Sequence, residues 1–324
     1  MKTNSIKLLI VAGISAFCLL PSAFGQGALT PPGAPALTMK TLARIELCIP
    51  ISSAPFTISA PGSYYLTTNL TGVSSASGIT ISSGNVTLDL NGFALQGVSG
   101  SLDGVRVDNS YTNITVRNGT ITGWGWSGVE TCTWGSPRNL VFERLTVSAN
   151  GRDGIRAGTT SLVRDCCCSS NHLIGIYCYS GLVSGCAICN NGELGIRINN
   201  GTVSGCYVAN NALSGILTGD NGCQIIGNNC FTNNTSSSTI DAGILVYSAN
   251  NRIEDNHVTS SGYAGIQVIN FSRFTNNINN IVVKNTVIGD GANNYITRGN
   301  QIVGPLITTY GTITNSNPWA NFSF

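Results

Sequence analysis

Charged residues are scarce in this chain: only 9% of its 324 residues are Asp, Glu, Lys or Arg, and it contains just two His. Binding to nucleic acid requires a surplus of positive charge on one face, and the 16 basic residues here nearly balance 14 acidic ones. The composition therefore predicts no nucleic-acid partner. His172 and His257 have no visible partner in the sequence pattern, so we expect turn or surface residues and not catalytic bases.

Long apolar segments are also scarce. The apolar run over residues 8–20 follows Lys2 and Lys7 and precedes Ala23 and Gly25, which is typical of a secretory signal cleaved before Gln26. That run is too short to span a membrane, and no later segment is apolar enough. We predict a signal peptide over residues 1–25 and a secreted protein, extracellular or periplasmic, with no transmembrane segment and a net charge near zero.

Glycine, in contrast, is abundant, with 39 residues, and much of it is periodic. A Gly followed by Ile or Val recurs at steps of 20 to 28 residues, at Gly78, Gly104, Gly128, Gly154, Gly175, Gly195, Gly215, Gly243 and Gly265. A repeat of that length indicates a solenoid.

Within each repeat the apolar residues alternate, as in Ile196-Arg197-Ile198, which is the period of a β-strand. Three short strands separated by turn residues fit into one repeat. Stacked repeats would bury their inward side chains against one another. The sequence therefore predicts an all-β, single-stranded parallel β-helix of about nine coils. We expect a signal peptide over 1–25, a linker and start of a cap over 26–45, the β-helix over 46–304 and a C-terminal cap over 305–324.

Twelve cysteines, of which Cys18 leaves with the signal peptide, raise the question of disulfides. The column after the second strand reads Asn118, Arg144, Cys166, Cys186, Cys206, Asn228, Asn256 and Asn285. Cysteines on adjacent coils would have Cβ atoms about 4.8 Å apart, wider than a disulfide prefers. We therefore expect the reduced core cysteines to be Cys166, Cys186, Cys206, Cys168, Cys178 and Cys230. The favoured disulfide partners are Cys132, Cys189, Cys223 and Cys48.

Several stretches resemble a known group of proteins. They are PFTISAPGSYYLTTNLTG (55–72), NVTLDLNGFALQGVSGSLDGVRV (85–107), NITVRNGTITGWGWSGVE (113–130) and NPWANF (317–322). They resemble exported bacterial right-handed parallel β-helix repeat proteins of the pectin-lyase-like class, from about residue 45 to the end. That superfamily contains polysaccharide lyases, hydrolases, epimerases, phage depolymerases and non-enzymatic surface proteins, so the resemblance implies a fold and not one activity.

The resemblance also implies where a site would lie. It makes the Gly-Ile run the first strand of each coil and the Asn-rich segment before it the third turn, and these two elements form the substrate cleft in the superfamily's enzymes. The outward residues of successive first strands are Arg106, Glu130, Arg156, Tyr177, Arg197, Leu217, Leu245 and Gln267.

Arginine and aromatic side chains near this column suit an acidic polysaccharide. A guanidinium binds a carboxylate through two hydrogen bonds, and an exposed aromatic ring offers a flat surface to a sugar. We predict that substrate is bound by Arg106, Tyr177, Arg197, Trp124 and Trp126, with Trp134 nearby. The alternative is structural: charges of opposite sign on adjacent strands stabilise a sheet without a ligand, and the tryptophans would cover a coil.

Catalysis requires more than binding. A lyase needs a base and a group that neutralises the uronate carboxylate, and a hydrolase needs two positioned carboxyl groups. Asp103, Asp108, Glu130 and Asp153 are spread over three coils without a dense acidic cluster. The weak candidates for catalysis are Glu130 or Asp153 as acid/base, with Arg156 and Arg106 neutralising the substrate.

No cofactor or metal is expected, since Ca²⁺ would need several converging acids and Cys166-Cys167-Cys168 alternate between strand faces. We therefore expect a monomeric carbohydrate-binding protein at the cell surface or outside the cell. The alternatives are a lyase, epimerase or hydrolase of an acidic glycan and a purely structural solenoid.

Overall fold

A computed structural model describes residues 48–108, 110–131, 137–269, 279–291, 293–308 and 315–324. The predicted signal peptide and linker, Cys132 and Trp134 lie outside these ranges. None of the described residues is in a helix, and the strands pair in parallel from one coil to the next. The predicted parallel β-helix is confirmed.

The strands form because apolar residues alternate with polar ones, which gives each strand one buried and one outward face. In the strand that begins at Ile196, the side chains of Ile196 and Ile198 are buried while Arg197 is partly exposed. Each inward side chain packs against the corresponding residues of neighbouring coils, so one continuous apolar core runs through the coils.

The first-strand sheet contains one strand from each coil, and ten pairings join its eleven strands. They are Phe56–Ile58, Ile79–Ile81, Val105–Val107, Val129–Thr131, Ile155–Ala157, Ile176–Ser184, Ile196–Ser204, Ile216–Thr218, Ile244–Val246, Ala264–Val268 and Asn293–Thr297. The estimate of about nine coils was therefore too low. The repeat pattern missed the end strands because neither carries the Gly-Ile signature.

The other two sheets follow in each coil, and four long strands bend from one sheet into the next. The second-strand sheet contains Cys48–Ile51, Gly62–Leu66, Val86–Asp89, Thr112–Thr122, Arg138–Ser148, Thr159–Arg164, the ends of Ile176–Ser184 and Ile196–Ser204, then Gln224–Ile226, Arg252–Glu254, Ile281–Val283 and Ile302–Val303. The third-strand sheet contains Leu70–Thr71, Ala94–Gln96, the ends of Thr112–Thr122 and Arg138–Ser148, then Cys167–Ser169, Ala187–Cys189, Tyr207–Ala209, Asn229–Phe231, His257–Thr259, Thr286–Ile288 and Asn321–Ser323, which also pairs with Leu306–Ile307.

A polar ladder runs up the inside of the turn between the second and third strands. The backbone N–H of Cys206 donates to Asn228 Oδ1, and Asn228 Nδ2 donates to Asn256 Oδ1, each over 3.0 Å. The ladder continues through Asn285 to Asn321. Cys166, Cys186 and Cys206 occupy the same column in the middle coils, as predicted, and all three are buried.

Two members assigned to this column were wrong. Asn118 and Arg144 have φ of +57° and +51° and stand one residue earlier, on the outside of the turn. The inward positions in those coils belong to Gly119 and Leu145, which pair in register. In these two coils Leu145 places an apolar side chain in the turn and Gly119 leaves it without one, and among the described residues the amide ladder begins at Asn228.

The cysteines lie mostly in the core, and all those described are free thiols. Cys168, Cys178 and Cys230 are buried together with the three ladder cysteines, as predicted. Of the favoured disulfide partners, Cys48, Cys189 and Cys223 are unpaired, and Cys223 is fully buried with its Sγ near backbone carbonyls. The expectation of disulfides at these three residues was therefore wrong.

A second ladder lies in the third turn, where the sequence predicted only Asn-rich turn residues. Its asparagines are Asn150, Asn171, Asn191, Asn211 and Asn233, and each Nδ2 donates to the next Oδ1 over 2.9 to 3.1 Å. The ladder explains the repeat glycine. A Cβ on Gly175 would lie 2.7 Å from Asn191 Nδ2 and 2.7 Å from the carbonyl oxygen of Gly195, so a larger residue would push the coils apart.

The strand Asn321–Ser323 is the final strand of the third-strand sheet, at the C-terminal end of the coils. Asn321 receives the ladder bond from Asn285 and donates to the carbonyls of Val282 and Gly304. These bonds attach the segment predicted as a cap to the last coil. Within the described ranges, no helix has the length and apolar character needed to cross a bilayer.

Candidate functional site

The outward column of the first-strand sheet is arranged as the sequence predicts. Backbone register pairs Arg106 with Glu130 and Glu130 with Arg156, and the column continues through Tyr177 to Arg197. These five side chains therefore stand on five successive coils, about 4.8 Å apart. The column brings three arginines, one carboxyl group and one aromatic ring onto a single face.

In the coils that follow Arg197 toward the C-terminus, the residues of this column are no longer exposed. Leu217, Leu245 and Gln267 continue the column but are buried. Leu217 and Leu245 belong to a second apolar cluster outside the main core, with Ile174, Leu194, Ala242, Ala264 and Ile269. The candidate site is thus confined to the coils from Arg106 to Arg197, which we call the arginine face.

Glu130 lies at the centre of the charges on the arginine face. Its Oε2 accepts a hydrogen bond from Ser127 Oγ over 3.0 Å, and its Oε1 lies 3.7 Å from Arg156 Nε. Arg156 Nη1 is also 3.4 Å from Asp153 Oδ2, and Arg106 pairs with Asp103 over 3.8 Å. The Glu130 side chain is only 16% exposed, so little water screens these interactions.

Burial shifts the acidity of these carboxyl groups. Loss of solvent around Glu130 raises its pKa from 4.5 to about 7, although Arg156 and the Ser127 hydroxyl partly oppose the shift. Burial also raises the pKa values of Asp103 and Asp153, against the hydrogen bonds that Ser127 and Ile174 donate to them. Glu130 can therefore both accept and release a proton near neutral pH.

Two polar atoms at this site lie in ion pairs, over 3.8 and 3.7 Å, but have no hydrogen-bond partner. Asp103 Oδ2 and Arg156 Nε are buried and form no hydrogen bond with any described residue. A buried polar atom without a partner costs about 1–3 kcal/mol, and such atoms often mark a place where a ligand or water completes the bonding. Both atoms belong to residues that flank Glu130.

Tyr177 is not available as a sugar platform. Only 6% of it is exposed, because its ring lies 5.0 Å from the Arg156 guanidinium, 4.9 Å from that of Arg197 and 4.9 Å from the stacked ring of Tyr179. The predicted substrate contact is therefore corrected: Tyr177 separates and orients two arginines through cation–π contacts.

The tryptophans divide between the core and the surface. Trp124 is only 1% exposed and its Nε1 donates to the Leu95 carbonyl over 3.0 Å, so its predicted contact with substrate was wrong. Trp126 is 43% exposed, with the guanidinium of Arg152 5.9 Å from its ring centre. It therefore remains a candidate sugar platform beside the arginine face.

Arg152 and Ser127 were not among the predicted site residues, although both carried a positional signal. Trp126 and Arg152 each stand two residues before a repeat glycine, and the Arg152 N–H donates to the Trp126 carbonyl over 3.1 Å. Ser127 stands one residue before its glycine, as Asp103 and Asp153 do. Comparing equal offsets from the repeat glycines would have grouped them.

No metal-binding cluster is found in the part of the chain that the structure describes, where no three His, Cys, Asp or Glu side chains converge. Asp103 and Asp153 lie on either side of Glu130, but each is paired with an arginine.

No protein-family model matches the chain, and no curated protein matches it in sequence. Solved structures do resemble it. The A-module of mannuronan C-5 epimerase AlgE6 of Azotobacter vinelandii has 15% identity and a TM-score of 0.55, covering 79% of this chain and 88% of the module. A double mutant of the periplasmic alginate epimerase AlgG has 12% identity and a TM-score of 0.51, covering 85% and 76%.

A third similar structure is the enzymatically active domain of tailspike protein 2 of bacteriophage CBA120. It has 14% identity and a TM-score of 0.53, and the match covers 80% of this chain and half of the tailspike chain. All three are right-handed parallel β-helices, and the chain has that fold. At these identities the likeness shows the fold alone.

Proposed function

We propose that the chain is an exported protein that binds an acidic polysaccharide along its arginine face. The observation that carries the proposal is the placement of Arg106, Arg156 and Arg197 on alternate coils. Alternate coils are about 10 Å apart. In a glycan chain with twofold symmetry, carboxylates on the same side recur at every second sugar, so a polyuronate lying along the rod would meet one arginine after another.

The surroundings support this ligand. Arg106 is partly exposed, the Trp126 ring is exposed in the third turn that precedes Glu130, and Arg156 Nε has no hydrogen-bond partner among the described residues. Arginine binds carboxylates through paired hydrogen bonds, and the indole provides a flat apolar surface for a sugar ring. Structures similar in fold include alginate epimerases, which supports an acidic glycan.

A binding experiment tests the proposal. Isothermal titration of the secreted form with oligogalacturonate and with alginate oligomers should show binding that a neutral glucan does not. Arg106→Gln and Arg197→Gln should each weaken binding about tenfold, since each removes a charged hydrogen bond. Arg144→Gln, which changes an exposed arginine on another turn, is the matched control. Equal affinity for the neutral glucan, or unchanged affinity in both variants, would contradict the proposal.

A second candidate function is proton transfer on the bound uronate, in an epimerase or lyase. It is favoured by the Glu130 pKa of about 7 and by the position of this carboxyl group between Arg106 and Arg156. Glu130 would remove the proton from the carbon next to the uronate carboxylate while an arginine neutralises that carboxylate. Epimerisation returns a proton to the opposite face of that carbon, whereas elimination breaks the neighbouring bond to the glycosidic oxygen.

Two measurements distinguish catalysis from binding. A lyase should produce the absorbance of an unsaturated uronate, and an epimerase should incorporate deuterium from solvent into the sugar. Glu130→Gln should abolish either signal while oligomer affinity stays within a few-fold. If the unmodified protein binds glycan but gives neither signal, the catalytic candidate is rejected. Absence of binding to any glycan would leave the third alternative, a structural solenoid.

A further inference from the structure

A recess lies at the C-terminal end of the coils, on the second-strand sheet and not on the arginine face. Its volume is about 380 Å³, and its walls include Arg252, Ile281, Ile302, Pro305, Asn317 and Trp319. This volume lies near the lower end of the range for small-molecule sites in proteins. It suits one or two sugar rings better than a long chain.

Trp319 in this recess is 48% exposed, yet hydrogen bonds fix the backbone around it. The Trp319 N–H donates to Asn317 Oδ1 over 2.9 Å, and the Ala320 N–H donates to the Asn317 carbonyl over 3.2 Å. Two residues further on, Asn321 is bonded to the ladder at Asn285. A Cβ at Gly304 would overlap the Trp319 carbonyl, so the glycine permits this close packing.

The charged groups around Trp319 also have fixed positions. Lys284 Nζ lies 4.8 Å from the centre of the indole ring and 2.8 Å from Glu254 Oε1. Glu254 also accepts a hydrogen bond from Arg252 Nε, and these bonds lower its pKa to about 2, so it stays ionised. Because Glu254 occupies only the Nε of Arg252, the two terminal nitrogens of that guanidinium remain as donors at the wall of the recess.

We propose that this recess binds a sugar ring that carries a carboxylate. The ring stacks on Trp319, and the carboxylate accepts hydrogen bonds from the terminal nitrogens of Arg252. An exposed indole provides the apolar surface that the C–H face of a pyranose needs, and a guanidinium is the side chain best suited to a carboxylate. The inference shares no residue with the arginine face and does not depend on binding there.

The test uses digalacturonate as the acidic probe and cellobiose as the neutral one. Both are titrated calorimetrically into the Arg106→Gln/Arg197→Gln protein, in which the arginine face is disabled. Digalacturonate should bind more tightly than cellobiose. Trp319→Ala should weaken its binding about tenfold, and Arg252→Gln should remove the preference for the acid. Phe231→Ala, which removes an exposed aromatic ring on the third-strand sheet, should change nothing at this recess.

Further variants keep the test decisive if Trp319→Ala disturbs the fold, which circular dichroism would reveal. Trp319→Phe keeps an aromatic ring and should retain most of the affinity, whereas Trp319→Leu should not. Unchanged binding in Trp319→Leu, or equal binding of the two disaccharides, would overturn the proposal. So would a protein that binds neither sugar but dimerises through this recess, detected as a dimer that Trp319→Leu converts to monomer.

Discussion

At the residue scale, position in the strand and turn pattern decides the role of a side chain more than its chemical type. Trp124 and Trp126 are two residues apart in the third turn, yet Trp124 is buried and Trp126 is exposed. The Trp124 N–H donates to Asn150 Oδ1 over 3.1 Å, so the indole fills the place below the first asparagine of the ladder. A Cβ on Gly78 would lie 2.6 Å from that indole, which shows how closely the coils pack around it.

The pair of tryptophans gives a prediction about stability. Trp124→Ala should lower the free energy of unfolding by about 3–5 kcal/mol, because it leaves a cavity among buried residues and an unpaired Leu95 carbonyl. Trp126→Ala, at an exposed position, should change it by no more than about 0.5 kcal/mol. Urea denaturation followed by circular dichroism measures both. Similar losses for the two variants would show that Trp124 is not a core residue.

Glu130 gives a prediction about pH. Its pKa rises from 4.5 in the unfolded chain to about 7 in the folded protein, so the folded state holds this proton more tightly. Its contribution to stability is therefore complete below pH 4.5 and is lost as the pH rises through 7. Relative to Glu130→Gln, the unmodified protein should lose on the order of 3 kcal/mol of unfolding free energy across that window.

Ser127→Ala serves as the control for Glu130→Gln, because it keeps the titrating carboxyl group and shifts its pKa. The Ser127 hydroxyl donates to Glu130 Oε2 and lowers the pKa of that carboxyl group, so Ser127→Ala should raise it further and extend the pH-sensitive window upward. Denaturation at a series of pH values reports both effects. If Glu130→Gln and the unmodified protein have the same pH slope, the carboxyl group is not buried as the structure has it.

At the element scale, the turns are held by stacked amides as much as by apolar packing. Asn256 Oδ1 accepts hydrogen bonds from the backbone N–H and the Nδ2 of Asn228. Asn256 Nδ2 in turn donates to Asn285 Oδ1 and to the Ile225 carbonyl. Cys186 stands in the same column but offers only sulfur, 3.5 Å from the Cys166 nitrogen. Sulfur is a weak partner, so the cysteine coils depend more on apolar contact.

This difference predicts unequal costs for two substitutions in one ladder. Asn256→Ala leaves two donors of Asn228 without an acceptor and should lower the free energy of unfolding by about 2–4 kcal/mol. Cys186→Ala removes one small buried group with weak bonds and should cost about 1 kcal/mol. Chemical denaturation of both variants provides the comparison. A larger loss for Cys186→Ala would contradict the assignment of the amides as the main support of the turn.

At the scale of the whole molecule, the C-terminal end of the solenoid is an edge to which another chain could add a strand. A stack of parallel coils leaves unpaired backbone donors and acceptors at its last coil, which can recruit another chain. Here the strand Asn321–Ser323 pairs with Thr286–Ile288 and with Leu306–Ile307. The Tyr295 hydroxyl also donates to the Phe322 carbonyl over 3.2 Å.

Removal of residues 315–324 should therefore expose the strand Thr286–Ile288 at the edge of the third-strand sheet. It should also leave Asn285, the next member of the amide ladder, without its partner Asn321. We expect a lower melting temperature and higher-order association of the truncated protein, measured by light scattering after size-exclusion chromatography. Trp319→Ala keeps the strand and should remain monodisperse. A truncated protein that stays monomeric and equally stable would show that this segment does not protect the end.

The sequence by itself determined the parallel β-helix and the outward column from Arg106 to Gln267, because the side chains of stacked strands repeat at a fixed period that can be read along the chain. Only the tertiary structure decided which of these residues reach solvent. Leu245 is buried in an apolar cluster with side chains from other coils, Tyr177 is enclosed by two arginines, and Asn118 stands one residue before the inward position of its turn. Burial depends on neighbours twenty or more residues away, and a one-residue shift at a turn reverses inside and outside.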